Sequence, residues 1–470
     1  HESSIDDEWS RLLPVIAVCR KWRVIALVLA YKLAFIICSP ERAPGSLSNI
    51  GIMSYGLEYL AKSLSIYVIS HTGFNKSLQQ ILDILHTNAH DLQDICSMKL
   101  WIYEHIGDYE EYVSNPSTDI DSIPPMAKEF TKCVPNVTKL HCTALQQFPS
   151  TIAFYKSLAS SYGSRLHVLS TKPMYMPEKA ELSEAITDLR LHCRAGIPKQ
   201  IAPLKKESLV RLSLICVNSY IDWGWFEDKS GPGNINFENL QYMCISIDCS
   251  TQVIINGEMR CINRGPKTKF THRLSVPRLE HLSIKLCSLA CSLLKSAAFP
   301  QKLQRFDIKC MNGYTFHFRG VDMDSSLVDV FSKYAYDING EMSEVKFLND
   351  ILRISSTLAQ EATLSINSET RAWCIDSLYP VNVTRVQVTS YINYSNMVEI
   401  IAAFPNLAAL RAYGVTHSAK SNAAAERTIP TNLEHLVVGV IGQNMSVEAS
   451  GLLQERLFRI FKSLKSVVVF

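Results

Sequence analysis

Apolar positions recur along this chain at the spacing expected of a strand buried on one face. The pattern is Leu or Val, two residues, a large apolar residue, one residue, a second apolar residue, and often a third after two more. Leu279-Glu280-His281-Leu282-Ser283-Ile284-Lys285-Leu286-Cys287 is the clearest copy. Others start at Val137, Ile186, Leu209, Leu240, Leu303, Val383, Leu407, Leu433 and Leu464, ten copies in all. Two long intervals hold weaker copies, one with Leu166 and Val168 and one with Leu364 and Ile366, so the underlying unit is about 23–31 residues. Within each copy the alternation has period two, which turns every second side chain to one side of a strand.

Between the strands the apolar period changes to that of a helix. Following Lys76, the residues Leu78, Ile81, Leu82, Leu85, Leu92 and Ile95 fall on one helical face, and so do Leu453, Leu457, Ile460 and Phe461 after Ser446. Ser395 is placed to cap a helix over 397–403. A short strand followed by a helix, repeated, predicts parallel strands with helices outside. No unit can bury its own face, so stacked units must share one continuous core. Asn256-Gly257 and Asn312-Gly313, each between alternating residues, predict two hairpins inserted on the solenoid, over 251–262 and 306–318.

The N-terminal stretch reads differently. Val18, Trp22, Ile25 and Leu29 make a helical stripe, and the alternation Leu33, Phe35, Ile37 then reads as a strand. Val24 to Cys38 is apolar but holds Lys32 and is shorter than the ~20 residues a membrane span needs, so no membrane segment is expected. The first residue is His rather than Met, which predicts a processed product or a fragment with a segment missing upstream.

Composition narrows the function classes. A length of 470 residues suits about three domains or one long repetitive architecture, and the repeat favours the second. The apolar fraction of 47% is enough for a large core and excludes a mostly disordered chain. Lys and Arg number 47 against 44 Asp and Glu, so the net charge of +3 predicts no nucleic-acid or membrane field. The 14 Cys are scattered beside aliphatic residues with no CxxC, the pattern of buried thiols in a reducing cytosol or nucleus.

The repeat resembles the leucine-rich-repeat superfamily, whose consensus is LxxLxLxx(N/C)xL. Cys287 occupies the Asn/Cys position, whereas Val217, Met311, Val415 and Ile441 stand there in other copies. Leu13, Val18-Cys19-Arg20-Lys21-Trp22-Arg23 and Ala26 resemble the second half of an F-box, whose helices lead into the first strand of a repeat domain. His1–Trp9 do not match the first half. An F-box followed by leucine-rich repeats is the architecture of ubiquitin-ligase substrate receptors. The resemblance implies that Leu13, Val18, Cys19, Trp22 and Ile25 dock on a Skp-type adaptor linked to a cullin, while the repeats capture an unidentified protein substrate. A plain capping helix for the solenoid accounts for the same apolar stripe, because Trp on such a face is usually core.

Chemistry-bearing motifs are sparse. There is no GxSxG elbow and no phosphate-binding GxxxxGK(S/T). His86 and His90 have a zinc-compatible spacing without the Glu of HExxH, which favours a solvated helix face. The Leu-His-Cys triplets at 140–142 and 191–193 predict interior Cys and outward His. Asp322 and Asp324 lack the remaining ligands of a calcium loop. The stretch most like a recognition surface holds Tyr220, Trp223, Trp225 and Phe226 beside Asp222, Glu227 and Asp228. It reads either as a protein-binding hot spot or as aromatics that fold back to close the core.

The expectation is an α/β protein: a leucine-rich-repeat-like solenoid of parallel strands with outer helices over 32–470, after a short helical F-box remnant over 1–31. It would be a substrate-recognition subunit of a cullin-type ubiquitin ligase in the cytoplasm or nucleus, without enzymatic activity, cofactor or metal. The alternative is a leucine-rich-repeat scaffold unrelated to ubiquitin.

Overall fold

The computed structural model describes residues 35–38, 62–70, 74–90, 92–104, 120–144, 149–172, 185–193, 206–217, 233–248, 250–255, 258–263, 272–285, 288–309, 314–323, 328–331, 350, 359, 361–366, 383–416, 432–441, 454–455 and 457–469. The protein is mixed α/β with mostly parallel strands. Contacts divide the chain into two compact units, His1–Phe226 and Glu227–Phe470.

The first unit holds β1 (Phe35–Cys38), β2 (Ser63–Ser70), α1 (Phe74–Thr87), β3 (Ser97–Glu104), α2 (Ile123–Cys133), β4 (Lys139–Ala144), α3 (Pro149–Tyr162), β5 (Val168–Lys172), β6 (Asp188–Cys193) and β7 (Arg211–Val217). The seven strands lie side by side in chain order. Every neighbouring pair is parallel. The register aligns Leu64, Met98, Leu140, Leu169, Leu189 and Leu212 in one row and Ile66, Leu100, Cys142, Thr171, Leu191 and Leu214 in the next. All twelve are at most 1% exposed. Burying one such Leu is worth about 2 kcal/mol, which is why the alternation read from the sequence dictates which face turns inward.

Backbone bonds repeat from strand to strand. The carbonyl of Lys62 accepts the N–H groups of Cys96 and Ser97, that of Cys96 accepts Thr138 and Lys139, and that of Thr138 accepts His167 and Val168. His167 and Thr187 continue the series toward β6 and β7. Each strand is thereby started at the same height as the one before it.

The helices cover the apolar side. α1 buries Leu78, Ile81, Leu82 and Leu85 of the predicted stripe, together with Phe74. It ends at Thr87, so Leu92 and Ile95 lie beyond it, contrary to the single long helical face expected. Ile95, Met98 and Leu100 are instead the buried positions of a further repeat copy. α2 carries Pro124 and Pro125 at its second and third positions, within the first turn where a missing N–H costs nothing, and buries Ile123, Ala127, Phe130 and Cys133. Phe154 of α3 meets Phe74 and Phe130 edge-on, with centroids 6.0 and 5.1 Å apart. Gly163 then takes φ +46°, the left-handed conformation that ends a helix.

The second unit holds β8 (Asn234–Asn236), β9 (Tyr242–Asp248), β10 (Ser250–Ile255), β11 (Glu258–Asn263), β12 (Arg273–Ser275), β13 (His281–Lys285), α4 (Ser288–Ser296), β14 (Ala297–Ala298), β15 (Lys302–Lys309), β16 (Tyr314–Asp322), β17 (Glu361–Ile366), β18 (Val383–Asn393), α5 (Tyr394–Ala403), β19 (Ala409–Thr416), β20 (His435–Ile441) and β21 (Ser466–Val469). Its main sheet runs β9-β13-β15-β16-β17-β18-β19-β20-β21. The same rung recurs: the carbonyls of Gln241, Ala408 and Glu434 each accept two successive N–H groups of the next copy. β8, β12 and β14 form a small separate parallel sheet.

The first predicted hairpin is a pair of its own, with β10 antiparallel to β11 and Ile255 opposite Glu258. The second is not an appendage. β16 is antiparallel to both β15 and β17 and takes a full place in the main sheet, burying Phe316, Phe318 and Val321. Two local expectations also shift. In β5 the inward residues are Leu169 and Thr171, and Val168 is only half-buried, so the copy is Leu166, Leu169, Thr171. Ser395 lies inside α5, which starts directly after β18, rather than at its cap.

Candidate functional site

The polar side of the sheet is built by the residues that alternate with the buried rows. In the first unit, Lys99, His141, Ser170, Arg190 and Ser213 are aligned across β3 to β7. One step toward the strand starts stand Lys139, Val168, Asp188 and Arg211, and one step the other way Tyr67, Trp101 and Thr143. Tyr67 and Trp101 are stacked with centroids 5.8 Å apart and planes within 5°. The Trp101 Nε1 is buried and has no hydrogen-bond partner among the described residues.

Asp188 is the acidic centre of this face. Both its oxygens accept from Arg190, Oδ1 from Nε at 2.9 Å and Oδ2 from Nη2 at 2.7 Å, and Arg211 Nε lies 3.6 Å away. Lys99 and Lys139 are exposed. His141 sits among these charges. Burial, together with the Arg190 and Lys99 cations, pushes its imidazole down to about 4, so it is neutral at physiological pH.

In the second unit Asp307 gathers three donors on one buried carboxylate. Oδ2 accepts from His281 Nε2 at 2.7 Å; Oδ1 accepts from His317 Nδ1 at 2.8 Å and Arg305 Nε at 2.9 Å. Despite the cost of burial, these bonds hold the Asp307 carboxyl far below the usual carboxylate range. Tyr242 meets the His281 ring edge-on at 4.7 Å. Two strands on, Glu361 accepts from Thr384 Oγ1 at 3.0 Å and pairs with Arg319 at 3.4 Å and Arg385 at 3.8 Å. These are charge networks spread on a sheet face. Among the described residues no group of three or more His, Cys, Asp or Glu is arranged to hold a metal ion.

The residues singled out from the sequence are distributed otherwise. Leu13, Val18, Cys19, Trp22 and Ile25 lie outside the described residues, and so do Tyr220, Trp223, Trp225 and Phe226. His86 and His90 are both exposed, and the end of α1 at Thr87 removes the shared helical face. His86 Nδ1 instead lies 3.5 Å from Cys133 Sγ. In the triplet at 140–142, Leu140 and Cys142 point inward and His141 outward, as expected, and burial raises the Cys142 thiol well above its usual value. Asp322 ends β16, and Asp324 lies outside the described residues.

Sequence reasoning missed both charge clusters. Their signal was present, since every outward residue occupies an alternate position of a recognisable copy. What the sequence lacks is the register that brings Asp188 beside Arg211, and Asp307 opposite His317.

Among the described residues, no helix is long and apolar enough to cross a membrane. No protein-family profile matches the chain, and neither a curated protein nor a solved structure matches it significantly.

Proposed function

We propose that this chain is a protein-binding solenoid of leucine-rich-repeat type that selects substrates for a cullin-type ubiquitin ligase. The observation that supports the repeat reading is the recurring backbone rung, in which Lys62, Cys96, Thr138, His167 and Thr187 each seat the start of the next strand. Such a repeat spends its apolar residues on one shared core and leaves a broad polar sheet face whose side chains vary from copy to copy. A surface of that kind recognises another macromolecule rather than enclosing a small substrate. Transfer of ubiquitin would belong to partner enzymes, and no residue of this chain is assigned a chemical step.

The ligase half of the reading rests on the Val18-Cys19-Arg20-Lys21-Trp22 segment and its resemblance to an F-box. In this role Leu13, Val18, Cys19, Trp22 and Ile25 dock on a Skp-type adaptor, and Tyr220, Trp223, Trp225 and Phe226 contribute to substrate capture. The protein then works in the cytoplasm or nucleus. The test is a pull-down of the full chain with the Skp-type adaptor, using Trp22→Ala as the control. Retention that Trp22→Ala abolishes supports the role; no retention by the unsubstituted chain defeats it.

A scaffold without a link to ubiquitin is the second reading. It is favoured by β1, the first strand of its sheet among the described residues, which follows the Trp22 segment closely in sequence. A helix in that place would serve equally as a cap. A protein that keeps its stability on Trp22→Ala while losing the adaptor argues against the cap.

A further inference from the structure

We infer that the polar sheet face of the first unit, around Lys99, Lys139 and Arg190, takes an acidic peptide segment of the partner protein. This deepens the protein-binding reading above and rests on it.

The charge balance carries the inference. Across the described outward positions of β2 to β7 stand four cations, Lys99, Lys139, Arg190 and Arg211, against the single carboxylate of Asp188. Asp188 is engaged by the two arginines. Lys99 and Lys139 are exposed and have no carboxylate partner among the described residues. In the second unit Arg305 has Asp307, Arg319 and Arg385 share Glu361, and Lys285, Lys309 and Arg411 are further cations at outward positions. Among the described residues, the first unit's face is left with more cations than carboxylates.

A second observation reports the same field from inside the sheet. His141 lies between Lys99 and Arg190 in the aligned row, and both cations help to keep it unprotonated. A neutral imidazole among cations serves as a hydrogen-bonding group there, and an anion laid over the row would relieve the repulsion that suppresses its charge.

The spacing suits an extended chain. Lys99 on β3 and Arg190 on β6 are three strand steps apart, roughly 14 Å at ~4.8 Å per step, which an extended peptide at ~3.4 Å per residue spans in about four residues. Acidic side chains at alternate positions would therefore meet Lys99 and Arg190 with one carboxylate between them near His141. The stacked Tyr67 and Trp101 lie beside Lys99 and offer an aromatic surface to an apolar neighbour of those acids. A protein segment fits better than a nucleic acid, because a net charge of +3 over the whole chain is too small to follow a phosphate backbone.

The test is fluorescence anisotropy of the full chain with a labelled peptide carrying Glu at alternate positions. Its Gln counterpart and a labelled single-stranded oligonucleotide serve as competing probes. The Glu peptide is expected to bind, to weaken as salt is raised, and to raise the His141 imidazole pKa followed by NMR. Lys99→Glu with Lys139→Glu is expected to weaken it at least about tenfold, while the matched pair Lys302→Glu with Lys309→Glu leaves it unchanged. Lys99→Gln with Lys139→Gln, which adds no charge, should weaken it by a smaller factor and guards against misfolding of the Glu variant. Equal binding of the Glu and Gln peptides, tighter binding of the oligonucleotide, or insensitivity to the Lys99 and Lys139 substitutions overturns the inference. Loss of the peptide with an intact adaptor pull-down removes this inference alone; peptide binding without the adaptor removes the ligase role alone.

Discussion

His317 lies directly opposite Asp307 in the antiparallel β15–β16 pair, and its Nδ1 donates to the Asp307 carboxylate at 2.8 Å. β16 reverses direction within an otherwise parallel sheet, and that reversal puts the second imidazole on the same carboxylate as His281. Removing the carboxylate leaves the half-buried His281 and His317 and the more exposed Arg305 without their acceptor. Asp307→Ala is therefore expected to cost about 3 kcal/mol in denaturant unfolding at pH 7, the scale of a broken buried ion pair. Because the Asp307 pKa is depressed in the fold, its contribution is fully present above the unfolded value of ~3.9 and is lost as pH falls toward the folded value. The gap between the unfolding curves of wild type and Asp307→Asn should narrow progressively as pH falls below about 4. A gap that stays constant there contradicts the network.

His141 predicts a pH effect of the same sign in a different window. Its pKa falls from 6.5 to about 4 in the fold, so between these values the unfolded chain binds the extra proton. Stability is full above pH 6.5 and declines as pH drops through this window. His141→Gln should flatten that part of the stability profile while leaving the value at pH 8 nearly unchanged. An unaltered slope would show that other groups produce it.

Trp101 separates ring packing from hydrogen bonding. Trp101→Phe keeps a ring against Tyr67 and removes a buried N–H without a partner among the described residues. It is expected to be neutral or mildly stabilising by thermal melting. Trp101→Ala should cost about 1 kcal/mol for the ring pair, plus the packing area lost. Marked destabilisation by Trp101→Phe would mean that the indole N–H is satisfied after all.

The two faces of one strand should respond oppositely. Leu140 is 0% exposed in the row between Met98 and Leu169, and Leu140→Ala is expected to cost about 3 kcal/mol through the cavity it leaves. Lys139→Ala, its exposed neighbour, should change stability by less than about 0.5 kcal/mol. Equal effects in urea unfolding would refute the alternation of buried and exposed residues in β4.

Much of the fold was legible because burial on one face leaves a period-two trace. The copies starting at Val137, Ile186, Leu209, Leu240, Leu279, Leu303, Val383, Leu407 and Leu433 all open on residues at most 2% exposed. Asn256-Gly257 marked its hairpin because a two-residue turn needs such residues. Ile95 was misread because one apolar residue fits either period, and only the end of α1 at Thr87 assigns it to the strand. The role of β16 was not legible: a hairpin signal says that two strands pair, not whether the second will find another partner on its far edge. Of the candidate surfaces, the F-box-like segment and the aromatic cluster at 220–226 lie outside the described residues, while the two charge clusters were passed over.

The chain's own pattern determined which residues turn inward, because apolar burial is local and needs no knowledge of the partner strand. Tertiary structure alone decided which polar residues meet. Asp188 with Arg211, and Asp307 with His281 and His317, are 23, 26 and 10 residues apart. Their encounter depends on strand register and direction, which the packed core sets through the inward rows. The outward side chains that carry charge are positioned as a consequence, and no alternation within a single strand records who their neighbours will be.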